Sequence, residues 1–211
     1  MTLASHANAA LAAGTPLRLP AHPAFMVVRR ARHVDGSGPA DVDSWFAEIR
    51  AGGGPVLLAD AGVDGDSIVV TPTAGWRVGT ADGGLVLSPC EPFEVELIEL
   101  DEVTDLLRAA AVAAREVAGG DAPPLWYEAV NRAIAILDSS GSGEELSDVA
   151  WPHFLLPTAS PLRAHRLAAS AATLWLWDGP GAWTGPAADL AHARLREAVG
   201  DALIAAVDAA S

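Results

Sequence analysis

The groups able to do chemistry in this chain gather in three places. Arg29, Arg30, Arg32 and His33 form its one basic cluster. On a strand Arg30 and Arg32 share one face, and Arg29 and His33 the other, because successive side chains alternate. Paired guanidiniums suit a carboxylate or phosphate, whose oxygens match the planar fork, and His33 beside them can serve as acid or base near neutral pH. The same residues also suit an edge strand, where charge blocks unwanted pairing. Glu94 and Glu96 are the second place. They alternate with Phe93, Val95 and Leu97, so a strand there has an apolar face and a carboxylate face. Glu91, Glu99, Asp101 and Glu102 extend the acidic run toward a helix start, where the macrodipole favours acids. Paired carboxylates can do acid–base work, line a solvated face, or meet a basic partner.

The third place is Trp175, Trp177 and Trp183, three tryptophans around Gly179-Pro180-Gly181. A helix running to Trp177 would send Trp175 and Trp177 about 200° apart. One of them would then face outward, and exposed tryptophan anchors binding interfaces. The competing reading is a helix hairpin clamped on both sides by aromatic packing.

Other chemistry lacks its pattern. The six histidines, His6, His22, His33, His153, His165 and His192, include no pair at the i,i+4 spacing of a helical metal motif. Cys90 stands beside the carboxylate of Glu91, the opposite of the electropositive setting that reactive thiols use. Asp60, Asp64 and Asp66 lack the glutamate that completes an EF-hand loop. Gly52-Gly53-Gly54 follows a helical pattern instead of opening one, and a chain without lysine cannot build a P-loop. No Gly-x-Ser-x-Gly elbow occurs. No metal and no cofactor are expected.

The elements that must position these residues fall into two halves. From Phe25 to Leu100 the apolar residues come in short runs: Phe25 to Val34, Val56 to Ala59, Ser67 to Thr71, Trp76 to Gly79, Leu85 to Ser88, and Phe93 to Ile98. Asp64-Gly65 and Asp82-Gly83-Gly84 supply hairpin-turn chemistry between them. One short helix interrupts this half, capped by Asp43 or Ser44, with Trp45, Phe46 and Ile49 as its stripe and Gly52 to Gly54 as its end. After Leu100 the period becomes three and four. Val103, Leu106, Leu107, Ala110, Ala114 and Val117 lead to a stop at Gly119-Gly120, and Trp126, Ala129, Val130, Ala133, Ile134 and Leu137 follow Pro123-Pro124. Ser160-Pro161 starts a third helix, and Pro186 a fourth. The expected fold class is α+β: an antiparallel five- to six-stranded meander sheet over about residues 25–100, packed against four C-terminal helices over about residues 101–211. No linker composition separates the strand-rich half (15–100) from the helical half (101–211), so a single domain over 1–211 is expected.

Composition limits the partners. The chain has 211 residues and a net charge of −14, and all 13 of its cations are arginine. Phosphate backbones and anionic lipid are repelled, so neither nucleic acid nor a membrane is an expected partner. With 51% hydrophobic and 19% charged residues, the composition is that of a folded chain. No uninterrupted apolar run reaches about 18 residues. A single cysteine points to a reducing cytoplasm, and the alanine-rich start, Met1 to Gly14, lacks the basic region of a secretory signal and is expected to be retained. The function these features favour is a soluble acidic protein-interaction module of adaptor, immunity or chaperone-like kind. It would bind another protein, a basic one by charge, through Glu94 and Glu96 or through Trp175, Trp177 and Trp183. The alternative is a small anionic-ligand-binding protein or minor enzyme, with a site between sheet and helices built from Arg30, Arg32 and His33.

Overall fold

The computed structural model describes residues 2–19, 32–33, 42–53, 56–60, 67–81, 84–91, 99–146, 156–177 and 183–209. The chain divides into two compact units, one of residues 1–97 with 210–211 and one of residues 98–209.

The first unit opens with helix α1 (Thr2–Ala12). Its alanine content favours helix, and Ala4, Ala7 and Ala10, three residues apart, are its buried face. Among them is a buried polar side chain, Asn8, that accounts for the helix's position. The Val56 N–H donates to Asn8 Oδ1 at 2.6 Å, and Asn8 Nδ2 donates to the Val56 carbonyl at 2.7 Å. One amide thus satisfies both backbone groups of a buried residue 48 positions away. Helix α2 (Val42–Gly52) buries Val42, Trp45, Phe46 and Ile49, the stripe that its spacing predicts. Trp45 meets Trp76 edge to face, with ring centroids 6.1 Å apart, and so packs α2 on the strands.

The strands are β1 (Arg32–His33), β2 (Leu57–Asp60), β3 (Ser67–Val70), β4 (Gly75–Ala81) and β5 (Gly84–Cys90), in the order β1-β5-β4-β3-β2. The long ladder is the two-stranded antiparallel hairpin β4–β5, running from Gly75 opposite Cys90 to Ala81 opposite Gly84. Asp82 and Gly83, expected from sequence to form the turn of this hairpin, lie outside the described residues. Between β3 and β4, the Thr71 N–H donates to the Ala74 carbonyl at 2.7 Å and the Ala74 N–H to Thr71 Oγ1 at 3.0 Å. Pro72 occupies the second position of that turn, where its fixed φ fits.

The second unit holds helices α3 (Leu100–Ala118), α4 (Pro124–Asp138), α5 (Leu162–Thr173) and α6 (Pro186–Asp208), with a 3₁₀ turn at Glu144–Leu146. Each helix packs on the next, and α6 returns to pack on α3. Gly119 ends α3 at φ 54°, a left-handed conformation that glycine adopts without a Cβ penalty. Alanine dominates the facing surfaces: Ala111, Ala114, Ala118, Ala133, Ala164, Ala168, Ala171, Ala188, Ala191, Ala202 and Ala206 are all buried. Small side chains let helix axes approach closely, while Leu107, Leu167, Leu195 and Val199 fill the space between them. Polar links add register. Buried Ser170 Oγ donates to the Ala133 carbonyl at 3.1 Å, and Arg108 Nε reaches Asp138 at 2.7 Å from α3 to α4.

The expected fold class is overturned. Among the described residues six α-helices carry most of the regular structure; strands β2 to β5 are short and pair antiparallel with their chain neighbours, the β4–β5 hairpin being the longest ladder, while β1 pairs parallel. The molecule is therefore mostly helical, and is not a five- to six-stranded antiparallel meander packed against four helices. Three physical reasons account for the error. The alanine-rich start is a helix held by a distant backbone contact. Strand β1 is two residues long and pairs parallel with β5, Arg32 opposite Val86 and His33 opposite Leu87, which no hairpin logic produces. Finally, the C-terminal helices bury their apolar faces on one another within their own unit. The strand expected over Phe93 to Ile98 lies outside the described residues.

Candidate functional site

One end of the helical unit gathers the aromatic residues that its neighbouring helices supply. Helix α5 stops at Thr173, with Leu174 as its cap, and the Trp175 N–H donates to the Ala172 carbonyl at 3.3 Å as the chain turns away. No glycine or proline stands at this stop. Because the helix ends there, Trp175 and Trp177 are not on a helical wheel. Their rings lie together, with centroids 5.0 Å apart and planes tilted by 35°. The expected 200° separation is therefore incorrect. The pair stacks, and Trp175 remains 47% exposed while Trp177 is partly buried.

Trp183 reaches the same end from the other side of the Gly-Pro-Gly segment, just before α6. Its ring lies 5.3 Å from Trp126 of α4 and 6.0 Å from His192 of α6. Trp126 also meets Tyr127 edge to face at 5.5 Å. His192 then continues to Trp177 at 6.4 Å, and Arg196, one turn further along α6, holds its guanidinium 5.6 Å from the Trp177 ring centroid. The contacts form an unbroken path from Trp126 through Trp183, His192 and Trp177 to Trp175. It runs from the interior to the surface.

His192 sits at the middle of this path and is only 4% exposed. Burial pushes its pKa below the usual histidine value by penalising the charged form; nearby Arg196 lowers it further, and Asp189 opposes them. A neutral imidazole at physiological pH follows. Neither His192 Nε2 nor Trp126 Nε1 has a hydrogen-bond partner among the described residues. The chemistry available among the described residues here is ring stacking, cation–π contact and burial of apolar surface.

The residues singled out from sequence thus meet different outcomes. Trp175, Trp177 and Trp183 come together in one cluster. Arg32 and His33 lie on β1 with their backbones paired to β5, while their side chains, Arg29, Arg30, Glu94 and Glu96 lie outside the described residues. Cys90 ends β5 as a half-buried free thiol. Among the described residues no group of three or more His, Cys, Asp or Glu side chains could hold a metal ion. No helix among them is long and apolar enough to cross a membrane.

Sequence reading missed Trp126, His192 and Arg196 as members of the cluster. Trp126 was legible only as one more apolar position on a helical stripe. His192 and Arg196 stand at i,i+4 on α6, so their shared face could have been read, but nothing local links that face to Trp177. No protein-family model, curated protein or solved structure matches this chain.

Proposed function

We propose that this protein is a non-catalytic, acidic interaction module that binds another protein through the tryptophan-bearing end of its helical unit. The observation that carries the reading is the stacked pair of Trp175 and Trp177, one ring 47% exposed and the other backed by the Arg196 guanidinium. Tryptophan and arginine are the residue types most enriched where interfaces concentrate their binding energy. Stacking on Trp177 and on the buried path behind it holds Trp175 in a defined orientation, so less side-chain entropy remains to be lost on binding. A net charge of −14, to which Glu94 and Glu96 contribute, makes a basic partner the one drawn in by long-range attraction.

A photo-crosslinking residue at the exposed position 184 of the full chain, next to Trp183, would capture the partner, whose affinity is then measured directly. Replacing both rings, Trp175→Ala with Trp177→Ala, is expected to weaken that affinity by at least about thirtyfold, the loss of a hot spot. Binding should also weaken as salt rises, and Glu94→Arg with Glu96→Arg should reduce it further. A partner that binds the doubly substituted chain as tightly as the original would overturn the proposal.

A further inference from the structure

In the first unit, the chain leaving α1 runs alongside α2 and leaves an open groove of about 630 Å³ between them. Its lining combines apolar side chains, Pro16, Leu17, Phe46 and Ala47, with Arg18 and Arg50. Arg50 is held in place from two directions: it donates to the Thr15 carbonyl, and its guanidinium lies 4.8 Å from the Phe46 ring centroid. Neither the Arg18 guanidinium nor the carboxylate of Asp43, the groove's acid, has a side-chain hydrogen bond or ion pair among the described residues. Asp43 and Arg50 stand seven residues apart on α2, about 10 Å along the axis. Two guanidiniums against one carboxylate make this concavity locally positive in a chain that is strongly negative overall. An apolar floor with a few charged groups at the margin, in a volume of a few hundred cubic ångströms, is the usual make-up of a small-molecule site.

We propose that this groove binds a small amphipathic carboxylate. Its hydrocarbon body lies on Leu17 and Ala47, and its carboxylate is taken by Arg18 and the remaining donors of Arg50. Arginine suits this task because its planar fork matches both carboxylate oxygens. A neutral analogue gains the apolar contact without the charge-assisted bonds, and inorganic phosphate gains the charge without the apolar contact.

Hexanoate is the probe, titrated into the full chain while backbone amide resonances are followed by NMR. Saturable shifts at residues 17–18 and 43–51 with a dissociation constant of about 1 mM are expected, as suits so small a ligand. Arg18→Ala should weaken binding about fivefold. Ala47→Trp, which places a ring in the groove from an exposed helix position, should abolish it while leaving helix content by circular dichroism unchanged. Should Ala47→Trp fail to fold, Arg18→Ala decides alone. Equal binding of hexanamide or of inorganic phosphate would overturn the proposal, as would shifts centred elsewhere or unaltered binding by the Arg18→Ala chain.

Discussion

Two tryptophan pairs, one in each unit, show the same side chain in opposite settings. In the first unit Trp45 and Trp76 meet edge to face at 6.1 Å and are 1% and 5% exposed. In the helical unit Trp175 and Trp177 lie 5.0 Å apart, yet Trp175 keeps nearly half its surface in water. The first pair joins a helix to a strand, so its area is removed from water by folding itself. The second follows a helix that has already ended, and its outer ring has apolar area still to bury. Stabilisation and recognition draw on the same hydrophobic effect. Which of them a tryptophan serves depends on whether folding or association removes its surface from water.

Four substitutions break or sharpen this contrast, in order of expected size. Trp45→Ala should be the most damaging, at about 4 kcal/mol, because a large buried ring leaves a cavity that the surroundings only partly fill. Hydrogen exchange at the amides of α2 and β4 would report it, and unchanged protection there would remove Trp45 from the structural side of the comparison. Asn8→Ala should cost about 2 kcal/mol, since it strands the buried N–H and carbonyl of Val56 together. The faster exchange should appear in α1 and at the start of β2.

His192 predicts a pH effect confined to the helical unit. Its folded pKa lies below the value of 6.5 that an unfolded chain would show, so the unfolded state takes up a proton first as pH falls. The stability due to neutral His192 is fully present above pH 6.5 and is lost as pH falls from there through its folded pKa. His192→Gln should flatten that part of the stability profile, followed by fluorescence of the helical-unit tryptophans; an unaltered slope would place the titration elsewhere. The smallest effect on folding belongs to Trp175→Ala, within about 0.5 kcal/mol, as expected of an exposed position. A loss near that of Trp45→Ala would erase the distinction between the two pairs.

Much of the helical unit was readable from spacing alone. Val103, Leu107 and Ala114 mark the buried face of α3, and Gly119 ends it, because a 3.6-residue period and a left-handed cap are local properties. The Trp45, Phe46 and Ile49 stripe of α2 was legible for the same reason. The candidate site was readable only as a list of tryptophans. Their pairing was misjudged because extending α5 to Trp177 imposed a helical rotation on residues that lie past its end. Helix α1 was missed because its burial depends on Asn8 meeting Val56, a contact whose partner is 48 residues away.

Residue order by itself determined the acidic character, the amphipathic face of α2 and part of that of α3, where Leu106, expected to be buried, is exposed. Each depends on side-chain type and on neighbours within a few positions. Tertiary structure alone decided that α1 is tied down at Val56, that β1 joins β5 in parallel, and that Trp126, Trp183, His192 and Trp177 form one path to an exposed Trp175. Such contacts unite groups remote in sequence. They form only when the entropy lost in closing the chain between them is offset by the burial and hydrogen bonding of the whole unit, a balance to which no local pattern is sensitive.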